Sequence, residues 1–190
     1  THFRRKEKPY ASKKKSYTRY FDSSIHDRGE IANQRGRLGD YEGDTVYGSV
    51  GKGYLITGVD RQSRLTVAAI ARDKTIESTN AAFIAAFRKA KLVPPITLTL
   101  DNGTEFLGFK DLEQALGTKV YFADAHAPWQ RGSNENINGL IRFFFPRGTD
   151  FTKVTDEQLD AVLELINNRP RKCLGYLSPN ESINKVLHLA

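Results

Sequence analysis

The sequence lacks several features that would point to a protein class directly. It has no methionine and a single cysteine, Cys173, so neither an internal disulfide nor a cysteine-rich zinc module can form. No apolar run approaches the roughly 18 residues needed to cross a bilayer, and the N-terminus lacks the apolar segment of a signal peptide. The four histidines, His2, His26, His126 and His188, are not spaced as zinc ligands are. We therefore expect a soluble, intracellular protein.

Positive charge is concentrated at the start of the chain. The net charge is +7, and residues 1–38 carry eleven lysines and arginines against four acids, whereas residues 39–190 are neutral. Lys13, Lys14 and Lys15 form the densest run of this arm. A basic arm suits a polyanion such as DNA, because each neutralised phosphate releases counterions, although a solvated linker is the alternative. We predict a basic N-terminal arm over 1–38 and one folded domain over 39–190.

The hydrophobic pattern of residues 39–190 predicts a mixed α/β domain. Three β-rich runs with short connections predict an antiparallel meander over 40–50, 54–60 and 65–71. Two further short strands are expected at 96–100 and 119–123. Helical periodicity predicts helices over 75–91, 108–116, 128–145, 155–168 and 178–189. The expected architecture is a mixed five-stranded sheet with helices on both faces.

Three acids occupy unusual positions on these elements. Asp44 lies within a strand, where Asp is disfavoured, Asp101 follows an apolar strand, and Glu135 lies one turn into a helix. If the first and fourth strands are neighbours, the aspartates meet, and a crossing helix could add Glu135. Paired carboxylates at 4 Å repel by roughly 4 kcal/mol at an effective dielectric near 20, so they need protons or cations. Mg²⁺, which Mn²⁺ can replace, fits these oxygen ligands and phosphoryl chemistry; ordinary surface ion pairs are the alternative.

Polar and basic residues around these acids are candidates for DNA contacts. Amides have poor helix propensity, yet several surround Glu135, and hydrogen bonds to phosphate, sugar or bases would explain them. Helix capping and structural ion pairs are the alternatives, and bases that follow a helix end also complement its dipole. Trp129 is expected to be a core or helix-entry anchor. The predicted DNA contacts in the folded domain are Arg131, Asn134, Asn138, Arg142, Arg169, Arg171 and Lys172.

Four segments resemble those of bacterial transposases of the insertion-sequence-thirty family, whose cores are similar to retroviral integrases. They are Tyr-Glu-Gly-Asp (41–44), Asp-Asn-Gly-Thr-Glu-Phe (101–106), Trp-Gln-Arg-Gly-Ser-Asn-Glu-Asn (129–136) and Asn-Arg-Pro-Arg-Lys (168–172). The resemblance implies a ribonuclease-H-like fold. It also implies a catalytic, metal-binding Asp-Asp-Glu triad at Asp44, Asp101 and Glu135, and the spacing between the last two suits the family.

The resemblance also implies a function. The chain would be the catalytic domain of a DNA transposase that cleaves element ends and joins the 3′-hydroxyl to DNA by two-metal-ion transesterification. Double-stranded DNA and a homo-oligomer, at least a dimer on DNA, are the implied partners, in the bacterial cytoplasm at the nucleoid. Because position 1 is not methionine, we expect a fragment, and the resemblance implies that the parent protein has an upstream helix-turn-helix domain, which this sequence does not show. A metal-dependent nuclease of the same fold and an inactive DNA-binding remnant are the alternatives.

Overall fold

The computed structural model describes residues 23–189 apart from Ala90 and His126, so the predictions for Lys13, Lys14 and Lys15 lie outside the described residues. The five strands are β1 (Asp40–Tyr47), β2 (Tyr54–Asp60), β3 (Thr66–Ala71), β4 (Thr97–Leu100) and β5 (Lys119–Phe122). The helices are α1 (Glu30–Asn33), α2 (Ile76–Lys89), α3 (Phe109–Leu116), α4 (Gly132–Phe144), α5 (Asp156–Asn167) and α6 (Pro179–Leu189). None of the helices in this part of the chain has the length and hydropathy of a transmembrane span.

The strands form one mixed sheet in the order β3-β2-β1-β4-β5. The β1–β2 and β2–β3 pairs are antiparallel, as expected of a meander, whereas β1–β4 and β4–β5 are parallel. The prediction of a mixed five-stranded sheet is therefore confirmed, and the condition that β1 and β4 are neighbours is met. In the β1–β4 pair Glu42 lies opposite Thr99, so the same register brings Asp44 level with Asp101, the residue that follows β4.

A separate hydrophobic core lies on each face of the sheet. Side chains alternate between the two faces along a strand, and Tyr41 of β1 packs with α2 and α3 on one of them. On the other face, Val46 packs with Ile137 and Ile141 of α4 and with the apolar side of α5. Because Glu42 and Asp44 share the parity of Val46, the two acids point towards the face that α4 covers.

The helix predicted over 128–145 is divided at its start. Pro128–Arg131 forms a 3-10 turn with proline in its first turn, and α4 begins only at Gly132. Trp129 lies in this turn and is 75% exposed, so the prediction that it is a core anchor is wrong. The neighbouring Ala127 is buried in its place, because the tighter 3-10 turn leaves the indole on the outside.

The last residues of the predicted arm contact the folded domain. The Ser23 carbonyl accepts a hydrogen bond from the Phe122 amide at 3.1 Å, which places this segment beside the edge strand β5. Arg28 is buried, and its guanidinium donates to the Thr99 hydroxyl of β4 at 2.9 Å. Ser23 and Arg28 thus lie beside the carboxyl ends of the parallel strands β5 and β4.

Gly43 is required by close packing under β1, and we expect Gly43→Ala to destabilise the domain by about 1–3 kcal/mol. A Cβ there would lie 2.5 Å from Leu100 Cδ2 and 3.2 Å from Phe83 Cε1, and both side chains are fully buried. The measurement is the free energy of unfolding from urea titration. Gly139→Ala in α4 is the control, because nothing lies within 4 Å of its Cβ and it should stabilise by about 0.5–1 kcal/mol. Equal effects of the two substitutions would contradict this account.

Candidate active site

Asp44 and Asp101 meet at a single guanidinium. Arg131, the last residue of the 3-10 turn before α4, places Nη1 3.4 Å from Asp44 Oδ1 and Nη2 3.2 Å from Asp101 Oδ2. Its Nη1 also donates to the Gly43 carbonyl at 3.2 Å. The side chain of Arg131 is only 15% exposed, against 22% for Asp44 and 40% for Asp101. The two acids therefore share one pocket at the sheet edge, as predicted from their strands.

Each aspartate is held by further donors. Asp44 accepts the Thr45 amide at 2.9 Å and the Asn138 side-chain amide of α4 at 2.7 Å. Asp101 accepts the Gly103 amide at 3.0 Å across the turn after β4. Burial raises the pKa of Asp101, and the charges of Asp44 and Glu105 add to the rise, while Arg131 and the Gly103 amide oppose it. The pair is thus crowded with negative charge that one arginine only partly balances.

Glu105 is a third acid beside this pair. Its Oε1 accepts the Tyr47 hydroxyl proton at 2.7 Å, which ties the 3-10 turn at Thr104–Phe106 to the end of β1. A Cβ on Gly103 would lie 2.7 Å from Glu105 Oε2 and 3.0 Å from Asp101 Oδ1, so the absence of a side chain lets both carboxylates converge. Burial, together with the bond to Glu105, raises the pKa of Tyr47 and keeps it a hydrogen-bond donor. This contact favours a supporting role for Glu105 beside the two aspartates.

Glu135 lies on α4 between the two residues that reach Asp44. It follows Arg131 by four positions and precedes Asn138 by three, so the three side chains share one side of the helix. Its side chain is exposed, and among the described residues no three His, Cys, Asp or Glu side chains are grouped closely enough to hold a metal ion. The structure therefore brings Asp44 and Asp101 together, while Glu135 as the third ligand stays a prediction.

A buried ion pair docks α4 onto the sheet. Glu42 is fully buried on β1 and pairs with Arg61, and its Oε2 accepts the Ser133 amide in the first turn of α4 at 2.9 Å. Arg61 also donates to the Ala32 carbonyl at 3.0 Å and to the Asn33 carbonyl at 3.3 Å. Glu42 is therefore a structural acid that joins β1 to α4. No local signal in the sequence identified Arg61 as its partner.

The residues predicted to contact DNA have defined positions in the fold. Asn134 is buried and donates to the Gly43 carbonyl at 3.1 Å, and Asn138 donates to Asp44, so both amides bind the site from α4. Arg171 donates to the Ile166 carbonyl at 2.9 Å, at the end of α5. Arg169 and Lys172 are exposed beside it, and Arg142 is half-buried near the end of α4. Their contacts with DNA stay predictions.

The donor set of this site fits a hard divalent cation. Asp44 and Asp101 supply carboxylate oxygens, and such ions prefer oxygen ligands. The amide oxygens of Asn134 and Asn138 are buried without a hydrogen-bond partner in the described part of the chain. Buried polar atoms are rarely left unpaired, so these oxygens indicate that a further donor or ion belongs nearby. The geometry can support metal-assisted chemistry on a phosphate ester, in which both carboxylates face one reacting group.

The sequence of this chain is similar to a known domain family and to curated proteins. The integrase core domain family matches residues 35–128. The chain is 41% identical over 165 residues to the transposase for insertion sequence element IS4351 of Bacteroides fragilis, covering 86% of this chain and 50% of that protein. It is 40% identical over 161 residues to transposase InsI for insertion sequence element IS30A of Escherichia coli (strain K12), covering 85% and 42%. The chain thus spans about half the length of these curated relatives.

A solved structure shares the fold. The intasome of simian T-cell lymphotropic virus, determined by cryo-electron microscopy in complex with the PP2A regulatory subunit B56 gamma, contains a chain that matches with a TM-score of 0.59. The match covers 75% of this chain and 53% of that one at 20% identity. Together with the mixed sheet and its two helical layers, this confirms the expected ribonuclease-H-like α/β fold.

Proposed function

The chain belongs to the insertion-sequence transposases with an integrase core domain, and from this premise we propose that it cleaves DNA strands at element ends and joins them to DNA. The observation that carries the proposal is the convergence of Asp44 and Asp101 on one guanidinium at the edge of the sheet. Two carboxylates that share one counter-charge repel each other, and a hard divalent cation between them would relieve this repulsion and could assist phosphoryl transfer.

Asp44 and Asp101 would hold Mg²⁺, or Mn²⁺ in its place, and we assign Glu135 as the third ligand. When bound, divalent ions supply Lewis-acid stabilisation of the phosphodiester oxygens and activate the attacking oxygen. The chain itself orients the ligands: Asn138 fixes one oxygen of Asp44, and the Gly103 amide fixes one oxygen of Asp101. Exposure of Glu135 leaves its carboxylate free to turn towards the pair on the same side of α4.

Cleavage consumes one phosphodiester bond, whereas joining conserves their number. In the first step a water oxygen attacks phosphorus, the P–O3′ bond breaks, and the leaving 3′-oxygen takes up the proton that the water loses, which gives a 3′-hydroxyl. In the second step that hydroxyl oxygen attacks another phosphodiester and gives up its proton, a new P–O3′ bond forms as the old P–O3′ bond breaks, and the displaced 3′-oxygen takes up a proton. Because bond number is unchanged in joining, no nucleotide hydrolysis is needed.

Double-stranded DNA, both element end and target, is the proposed partner. Arg131, Arg142 and the bases after α5, Arg169, Arg171 and Lys172, would contact its phosphates, and Lys13, Lys14 and Lys15 would extend this surface. Two ends must be held together for joining, so we propose a homo-oligomer of at least two copies on DNA.

Branched DNA provides the direct test of joining. Joining exchanges one phosphodiester bond for another at nearly equal free energy, so the enzyme must also catalyse the reverse of joining. A Y-shaped DNA that mimics the joined product is the substrate for this reverse reaction. We expect the 190-residue chain with Mn²⁺ to convert a labelled branch into one continuous strand, and a gel to show a product longer than the labelled strand. Shortened fragments without any lengthened product would identify the alternative, a nuclease that cuts and does not join.

A further inference from the structure

Glu42 and Asp44 of β1 are each paired with an arginine, and the two arginines are bonded very differently. Arg61, beside Glu42, uses Nε and both terminal nitrogens, and its side chain is 7% exposed. Arg131, beside Asp44, leaves its buried Nε without a hydrogen-bond partner among the described residues. A fully bonded guanidinium is a fixed structural cation, whereas an incompletely bonded one is held mainly by charge.

The contacts of Arg131 are also long. Its distances of 3.4 Å to Asp44 and 3.2 Å to Asp101 exceed the roughly 2.7–2.9 Å of well-formed charge-assisted hydrogen bonds. Each terminal nitrogen reaches a different carboxylate, so the guanidinium forms no bidentate fork with either aspartate. Such a bridge stabilises the acid pair, and its displacement costs only two long hydrogen bonds, to the Gly43 carbonyl and to Asp101, both at 3.2 Å.

We propose that Arg131 is a built-in counter-cation that competes with the divalent ion for Asp44 and Asp101, and that its displaced guanidinium then binds a DNA phosphate. This inference rests on the proposed function in one respect, namely that the two aspartates bind a divalent ion. Before the ion binds, Arg131 offsets their repulsion, which burial strengthens. Once the ion neutralises the carboxylates, Arg131 loses its partners and offers its charge to the nearest anion, the phosphate backbone of the substrate.

Metal titration of the 190-residue chain tests the competition without any DNA. We expect Arg131→Gln to bind Mn²⁺ about three- to tenfold more tightly than the wild-type chain in isothermal titration calorimetry, the size expected when partly exposed ion pairs no longer compete. Arg131→Lys, which retains one charge but cannot bridge two carboxylates, should lie between them. Arg88→Gln removes a charge from an exposed position on α2 and should leave Mn²⁺ affinity unchanged.

The outcomes separate this inference from the proposed function. Arg131→Gln binding Mn²⁺ equally or more weakly than wild type, with an unchanged circular dichroism spectrum, would overturn the competition. If Arg131→Gln does not fold, weaker binding by Arg131→Lys would have the same meaning. A wild-type chain that binds no Mn²⁺ would instead overturn the metal site and the proposed function with it.

The second half of the inference predicts coupling between metal and DNA. In fluorescence anisotropy with a labelled duplex, Mn²⁺ should increase the DNA affinity of the wild-type chain more than that of Arg131→Gln. We expect a difference of about threefold or more in this metal-dependent gain, because only the wild-type chain has a guanidinium to release towards phosphate. Equal gains in both proteins would show that Arg131 does not transfer to the DNA.

Discussion

Asp44→Asn is expected to reduce strand cleavage and strand joining together by about 10³-fold or more. Removing one carboxylate from a site that stabilises a charged transition state by several kcal/mol corresponds to at least three factors of ten in rate. Asparagine keeps the size of the side chain and an oxygen that can still accept the Thr45 amide, so the change removes the charge and the one hydrogen bond from Asn138. The measurement is the rate of branched-DNA conversion and of nicking at a labelled element end.

The same loss is expected for Asp101→Asn and for Glu135→Gln, while binding to duplex DNA should be retained in all three. Asp111→Asn is the matched control, because Asp111 is an exposed acid in the first turn of α3 and has no place in the site. Full activity of any one of the three variants with Mg²⁺ would remove that residue from the site. Of the three assignments, that of Glu135 has the least structural support, because its side chain is exposed to solvent.

Much of the fold could be predicted because its signals are local. The β-rich composition of 54–60 and the 3.6-residue period of the long helices are properties of each segment, and the observed bounds of β2, α2 and α5 lie within two residues of the predicted ones. The start of α4 was less accessible, because a 3-10 turn and a helix have similar periods over four residues. The burial of Trp129 was predicted from general preference, and the local turn overrides that preference.

The candidate site could be predicted only in part, since its geometry is non-local. Asp44 and Asp101 were recognisable because acids are unusual within a strand or directly after an apolar one. Their closeness in space depends on the β1–β4 register, however, which neither segment encodes alone. The double contact of Arg131 depends on the division between the 3-10 turn and α4. Arg61 reaches Glu42 from the loop after β2, and an arginine in a polar turn gives no sign that it will be buried.

Breaking that buried pair should have the largest effect on stability. We expect Glu42→Ala to lower the free energy of unfolding by about 3–5 kcal/mol, because it leaves the Arg61 guanidinium buried without its counter-charge. It also removes the acceptor of the Ser133 amide, so the first turn of α4 loses its attachment to β1. Urea titration measures the loss, and hydrogen exchange should show the Ser133 amide exchanging faster than amides in the middle of α4.

The large loss of stability expected for Glu42→Ala comes from the burial of the ion pair and not from ion pairing in itself. An exposed ion pair of the same chain provides the comparison. Lys89 Nζ lies 2.8 Å from Asp160 Oδ1, with 43% and 51% of the two side chains exposed. Asp160→Ala should therefore change the free energy of unfolding by no more than about 1 kcal/mol. Glu42→Gln keeps an oxygen for the Ser133 amide while losing the charge, so its effect should lie between the two alanine variants. If Glu42→Ala is as mild as Asp160→Ala, then Glu42 does not dock α4, and the helix is held on the sheet by its apolar side and by the bonds of Asn134 and Asn138 to β1.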